Sequence, residues 1–362
     1  MNMELLTEIK TTRVKNSKLK ELDFNHIEFG KHISDHMLVS DFHFDDPMAI
    51  GWKEPQIVPF GNLSVSPATL ALHYGQTVFE GMKAFRMADG RINIFRLEKH
   101  FERFNRSLRR MCMAEISYEI FEEGMKQLIS LDKNWVPGVE QGSLYIRPFS
   151  FASEAKFGVN PSNEYRFIIF TGPVGQLFAK PIKVKIETNY IRAAKGGTGF
   201  AKCGGNYAAS MYPTKLAKEE GYDNVMWTDA NEHKYIEESG VMNLMFVFNG
   251  KLVTPPTSET ILDGVTRDSL LTLAKDIGVE VEERPVAVEE IMGAFENKTI
   301  TEAFGAGTAA VIAPIDTIGI GGKNYHLPAY NDQNIMFRLK RRLDAIRSGV
   351  ANDEHGWNTV IG

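Results

Sequence analysis

Two hydrophobic periods take turns along this chain. Residues 91–96 (RINIFR) alternate polar and apolar, the two-residue period of a half-buried strand. Residues 98–113 switch to the helical period, with Phe101, Phe104, Leu108 and Met111 on one face. Residues 121–129 continue as a second helix. The stretch 143–151 (SLYIRPFSF) predicts a strand with Tyr145 and Arg147 on one side, and 165–171 (YRFIIFT) predicts a buried strand. Gly172-Pro173-Val174-Gly175 then breaks the pattern and reads as the start of a linker. Beyond it the periods predict a strand at 182–188, a helix at 206–220 and strands at 224–228 and 243–249. The last of these turns at Asn249-Gly250. An amphipathic helix at 268–277 carries Leu270, Leu271, Leu273, Ala274 and Ile277, and Gly278 stops it. Strands and helices mixed in runs point to an α+β fold rather than a doubly wound sheet.

Length adds a division. A chain of 362 residues exceeds one ordinary core and fits two domains, expected at 1–172 and 186–362 with an interdomain loop at 173–185. A net charge of −5 gives no reason to expect nucleic acid or an anionic membrane as partner. The two cysteines, Cys112 and Cys203, are far apart and suggest neither a disulfide framework nor a zinc site. No metal is expected. Residues 1–22 mix acids and bases without an apolar run, and the greasiest stretch, 241–248, is too short to span a bilayer. The expected location is the cytoplasm.

The most unusual stretch is 196–207, GGTGFAKCGGNY, where five glycines surround Lys202. Glycine allows close backbone approach, so such a loop tends to wrap something. A nucleotide-binding P-loop fails on spacing, because Ala201 precedes the lysine and Cys203 follows it. An exposed lysine in a flexible loop and a Schiff-base lysine held partly dry both remain open. A pyridoxal-phosphate site needs the lysine, a phosphate cup, a carboxylate facing the pyridine nitrogen and a donor at the phenolic oxygen. Gly264-Val265-Thr266 precedes the amphipathic helix and offers backbone N–H groups at a helix N-terminus. A small-residue loop at 304–310 adds the Thr308 hydroxyl. Glu237 and Glu238 are the candidate carboxylates, set against the plain alternative of solvated turn acids.

Taken together these segments resemble a known family. Lys202-Cys203-Gly204-Gly205-Asn206-Tyr207, Glu238-Ser239-Gly240-Val241-Met242-Asn243, Gly264-Val265-Thr266-Arg267 and Gly307-Thr308-Ala309-Ala310 are similar to the branched-chain aminotransferases. So are His73-Tyr74-Gly75, Phe79-Glu80-Gly81-Met82-Lys83-Ala84-Phe85 and Leu144-Tyr145-Ile146-Arg147-Pro148. The resemblance runs in order through nearly the whole chain. It implies fold-type IV of the pyridoxal-phosphate enzymes, with a small α/β domain and a larger pseudo-barrel domain. It implies ping-pong transamination of L-leucine, L-isoleucine and L-valine with 2-oxoglutarate. By the same resemblance Lys202 is the Schiff-base lysine and proton shuttle, Tyr207 the phenolic-oxygen donor and Glu238 the pyridine partner. Arg103, Val265, Thr266 and Thr308 take the phosphate, and Arg192 lies near the cofactor. Phe29, Tyr74, Phe79 and Tyr145 form an apolar substrate pocket with Arg147 beside them, and Thr308 and Ala309 meet the α-carboxylate. Phe157 and Val159 resemble a loop that reaches a partner subunit's site in a homodimer. Where relatives carry a tyrosine, this chain reads Gln176-Leu177-Phe178, and Ala310 and Ala313 stand where some members have a redox cysteine pair. D-amino-acid transamination and aminodeoxychorismate lyase chemistry are the alternatives on the same fold, and a lysine aldolase the alternative outside it.

Overall fold

A computed structural model describes residues 8–44, 51–175 and 180–361. Its contacts divide the chain into two compact units, Met1–Gln176 with Ala201–Gly204 and Ile346–Gly362, and Leu177–Phe200 with Gly205–Ala345.

Among the described residues the first unit begins with strands β1 (Lys10–Thr11), β2 (His36–His43), β3 (Gly51–Trp52) and β4 (Gln56–Pro59). Helix α1 (Leu70–Tyr74) and strands β5 (Thr77–Phe79), β6 (Met82–Arg86) and β7 (Ile92–Phe95) follow. Helices α2 (Leu97–Arg110) and α3 (Tyr118–Leu131) precede two long strands, β8 (Gly142–Ala152) and β9 (Glu164–Gly175). In the second unit come β10 (Ile182–Ile186), α4 (Gly204–Glu219), β11 (Asn224–Thr228), β12 (Ile236–Ser239), β13 (Met242–Phe248) and β14 (Lys251–Thr254). Then α5 (Val265–Asp276), β15 (Val281–Glu283), α6 (Val288–Glu296), β16 (Ile300–Gly307), β17 (Val311–Ile320), β18 (Lys323–His326) and α7 (Ile335–Arg347) lead to β19 (Asn358–Ile361).

The first unit is built on one sheet ordered β1-β4-β2-β9-β8-β6-β7-β19. Helices α2 and α3 bury Phe104, Leu108, Phe121, Met125 and Leu128 in a core shared with Leu38, Leu144 and Phe167 of that sheet. Ser117 caps α3 by accepting the Ile120 N–H. The expected linker start differs: Gly172, Pro173, Val174 and Gly175 complete β9 and pair along β8. The long antiparallel ladder holds these breakers in a strand, so pairing overrides local propensity. Chain order fails too at the C-terminus. Strand β19 pairs antiparallel with β7, Asn358 opposite Phe95 and Ile361 opposite Ile92, which carries the chain end into the first unit.

The second unit's sheet runs β12-β11-β10-β17-β16-β13, and β12 also pairs with β13. That last pairing closes six strands into a barrel, a mixed α/β unit of the pseudo-barrel kind. Val184, Met226, Leu244, Phe246, Ile315 and Ile318 form its apolar core. Asn249 and Gly250 both take positive φ, which the two-residue hairpin between β13 and β14 requires. Gly278, at φ 74°, ends α5 as expected. Among the described residues no helix is long and apolar enough to cross a membrane, and no cluster of His, Cys, Asp and Glu could hold a metal ion.

Candidate active site

In the first unit Lys202 is held by its backbone. Its N–H donates to Ser107 Oγ at 3.0 Å, and its carbonyl accepts the Phe79 N–H at 3.0 Å. Cys203 bridges to Val78. Ser107 Oγ itself donates to the Arg103 carbonyl, one turn back on α2. The lysine side chain is half-buried, with Nζ 4.9 Å from the Phe79 ring centre. The exposed flexible lysine is therefore excluded, and the lysine loop belongs with β5 and α2 rather than with the elements that follow it in sequence.

Beside that clamp lies a buried charge cluster. Arg103 donates through Nε to Glu80 Oε1 at 2.7 Å and through Nη2 to Oε2 at 2.8 Å. His100 Nδ1 and the Gly81 N–H also reach Oε2. Burial pushes the Glu80 carboxyl up, but Arg103 and His100 outweigh it and hold it well below the usual range. Burial keeps His100 low, helped by Arg103 and Lys202 against the opposing pull of Glu80. Arg103, expected at a phosphate, thus has its guanidinium plane fixed by a carboxylate fork.

The expected pocket residues gather in the same unit. Arg147 Nη2 donates to Tyr145 Oη at 2.9 Å, and the guanidinium lies 4.8 Å from the Phe79 ring centre. Phe29 meets Tyr145 edge-on at 5.5 Å. Gly81 leaves room for the Tyr145 phenol, because a Cβ there would collide with Tyr145 Oη. Tyr74 accepts the Gly158 N–H at 3.3 Å, beside the highly exposed Phe157 and Val159. Leu177 and Phe178 lie outside the described residues.

The second unit holds the carboxylates. Glu237 and Glu238 are buried on β12, not solvated in a turn. Arg192 Nε pairs with Glu238 Oε2 at 2.9 Å. Glu238 Oε1 accepts the Leu262 N–H at 2.6 Å, and Asn243 Nδ2 approaches it at 3.5 Å. Asn243 also donates to the Leu262 carbonyl and fills the space where a Cβ on Gly264 would stand. Gly264 is needed for that close approach, since its φ of −74° suits any residue. It precedes α5 without a side-chain cap, leaving Val265 and Thr266, both buried, at the helix N-terminus. Thr308 and Ala309 sit in the turn from β16 to β17, reached through Asn243–Ala306 pairing. Tyr207 lies in the first turn of α4.

Each unit offers donors of the kind pyridoxal phosphate takes: the first a clamped lysine, the second an uncapped helix start with a buried threonine and a buried carboxylate fixed by an arginine. The amino-transferase class IV family matches residues 77–318. The chain belongs to the class IV aminotransferases, in their branched-chain-amino-acid branch. It is 42% identical over 97% of both chains to branched-chain-amino-acid aminotransferase 2 of Bacillus subtilis (strain 168). The Escherichia coli branched-chain amino acid aminotransferase is 28% identical, with a TM-score of 0.70 over 84% of this chain and 96% of that one. The T.th. branched-chain amino acid aminotransferase with pyridoxamine 5′-phosphate is 26% identical, with a TM-score of 0.71 over 89% and 97%. The fold is therefore fold-type IV, the cofactor is pyridoxal 5′-phosphate, and the substrates are amino acids and oxo acids.

Sequence reasoning gave no role to Ser107, Glu80, His100 or Asn243. Two had visible signals. Glu80 is an acid inside an apolar run, TVFEGMKAF, and Asn243 closes the Glu238-x-Gly-x-x-Asn spacing. Ser107 and His100 carry no signal, because their roles arise from non-local contacts.

Proposed function

We propose that this chain catalyses reversible transamination of L-leucine, L-isoleucine and L-valine with 2-oxoglutarate by a ping-pong mechanism. The observation that carries the reading is the clamp on Lys202, which fixes the backbone of a half-buried lysine between β5 and α2. The Bacillus subtilis relative's name supports the substrate class.

Pyridoxal phosphate, when bound, supplies an electron sink for the charge left on the substrate's Cα. Lys202 anchors the cofactor through Nζ. The same nitrogen, when free, would be the base that takes the substrate's α-proton and holds it for return. Glu238, held by Arg192, would be the carboxylate that keeps the ring nitrogen protonated, and Tyr207 would supply the donor for the phenolic oxygen. Val265, Thr266, Thr308 and Arg103 take the phosphate. Phe29, Tyr74, Phe79 and Tyr145 exclude water around an apolar side chain. Arg147 sets the Tyr145 hydroxyl, and Thr308 and Ala309 orient the α-carboxylate. Such a pocket separates leucine from valine weakly, since a methylene is worth about 1–3 kcal/mol.

The working form is a homodimer, with Phe157 and Val159 at the partner's site; their exposure supports this. The cytoplasm suits two free thiols, Cys112 and Cys203. A division of the chain near 173–185, between 1–172 and 186–362, remains a proposal for the domains, with 346–362 belonging to the first through β19. Steady-state rates test the reading. Double-reciprocal plots for L-leucine at several 2-oxoglutarate concentrations should be parallel, with comparable rates for L-isoleucine and L-valine. Turnover of D-alanine without L-leucine would overturn it.

A further inference from the structure

Glu237 is a buried titratable group that the reaction above leaves unused. It is 6% exposed, and among the described residues its Oε2 has no hydrogen-bond partner. Its Oε1 accepts from Thr260 Oγ1 at 2.5 Å. The Thr260 carbonyl in turn accepts from Arg192 Nη1 at 2.7 Å, and Arg192 Nε holds Glu238 at 2.9 Å. A continuous chain of contacts therefore runs from Glu237 through Thr260 and Arg192 to Glu238.

We propose that Glu237 is a positioning residue of the cofactor site, acting through Thr260 and Arg192 so that its own charge state sets the charge Glu238 presents. This rests on the assignment of Glu238 to the cofactor's ring nitrogen and deepens it. One guanidinium stands near two adjacent carboxylates. With Glu237 neutral, Arg192 balances Glu238 and the cluster is neutral. With Glu237 ionised, the cluster carries one net negative charge, which favours a protonated ring nitrogen facing Glu238.

The surroundings place the change near neutrality. Burial pushes the Glu237 carboxyl up to about 7, with Glu238 on its own strand and Asp229 after β11 adding to the rise. Thr260, after β14, and Arg192, after β10, pull the other way. Asp229 is itself fixed by the N–H groups of Glu232, Lys234 and Tyr235. An ionised oxygen buried without a partner is costly, so the neutral form prevails below that point.

The sign for folding follows. A carboxyl with a raised folded value binds its proton more tightly in the folded state. It therefore loses stability as pH climbs from the ordinary glutamate range to about 7, and the loss levels off above. Glu237→Gln fixes the neutral form and should remove that loss.

The experiment uses the full chain stripped of cofactor. Denaturation midpoints and the Kd for pyridoxal 5′-phosphate are measured from pH 5.5 to 9 for wild type, E237Q, T260V and E238Q. Relative to E237Q, wild type should lose stability as pH rises to about 7 and hold level above it. The ratio of their Kd values should change by roughly ten-fold over the same range, the reciprocal of that coupling. T260V removes a bond that favours the ionised form, so its transition should move to higher pH. It also keeps the test alive if E237Q fails to fold. Parallel stability profiles with a pH-independent Kd ratio, or a T260V transition unmoved, would overturn the proposal. E238Q should weaken cofactor binding throughout. If it does not while E237Q still flattens the stability profile, the Glu238 assignment fails instead, and with it the coupling.

Discussion

Lys202 shows how a side chain's role depends on contacts that sequence spacing does not contain. The glycine-rich motif and its likeness to known relatives marked the residue, but not what holds it. The holders are Ser107 Oγ and the Phe79 N–H, from elements roughly a hundred residues earlier in the chain. Lys202→Ala should abolish the cofactor's lysine-bound absorbance and lower transamination by about 10³-fold or more, read by spectrum and coupled assay. Glu80 offers a stability prediction. It is fully buried and satisfies Arg103 with a two-bond fork, so Glu80→Gln leaves a buried guanidinium poorly matched. The expected loss is about 3–5 kcal/mol in urea denaturation, together with weaker cofactor binding if Arg103 takes the phosphate. The acid in an apolar run was legible as an oddity. Its partners His100 and Arg103, twenty and more residues away, were not.

Individual elements were legible wherever a period ran long enough. Strand β11 and helices α2, α3 and α5 fall within a few residues of their expected bounds, because apolar spacing and Gly278 mark them directly. Strand β12 was not legible as buried, since four residues with two acids carry no apolar period; its burial comes from pairing with β11 and β13. Gly264, by sequence only a residue before a helix, proves to be a packing glycine against Asn243. Gly264→Ala forces Asn243 aside at a strain of about 1–3 kcal/mol, so the Kd for pyridoxal phosphate should rise roughly ten-fold. Strand β19 supplies a third test. Its preceding Trp357 is buried, packs edge-on to Phe95 at 5.7 Å and lies under Arg96. Ending the chain after Gly356 should cost about 3 kcal/mol or more, seen as a lower Tm.

At the scale of the whole molecule, the existence of two units followed from length, while their membership did not. Residues 201–204 and 346–362 return to the first unit through sheet pairing and core packing that no composition shift announces. The closed six-strand barrel is equally non-local, since it needs β10 to pair with β17 and β13 with β16, segments far apart in the chain. Assembly gives its own prediction. Light scattering should report twice the 40.7 kDa of one chain, and Phe157→Asp with Val159→Asp should lower activity. The central claim is that Lys202 and Glu238 serve one cofactor in the transamination of branched-chain amino acids. Its most direct test is the absorbance of the purified holoenzyme titrated with L-leucine and no oxo acid. The account predicts that the cofactor band shifts with one equivalent of 2-oxo acid released, that 2-oxoglutarate restores it, and that Lys202→Ala does neither. A band that stays fixed with L-leucine yet shifts with D-alanine would contradict it.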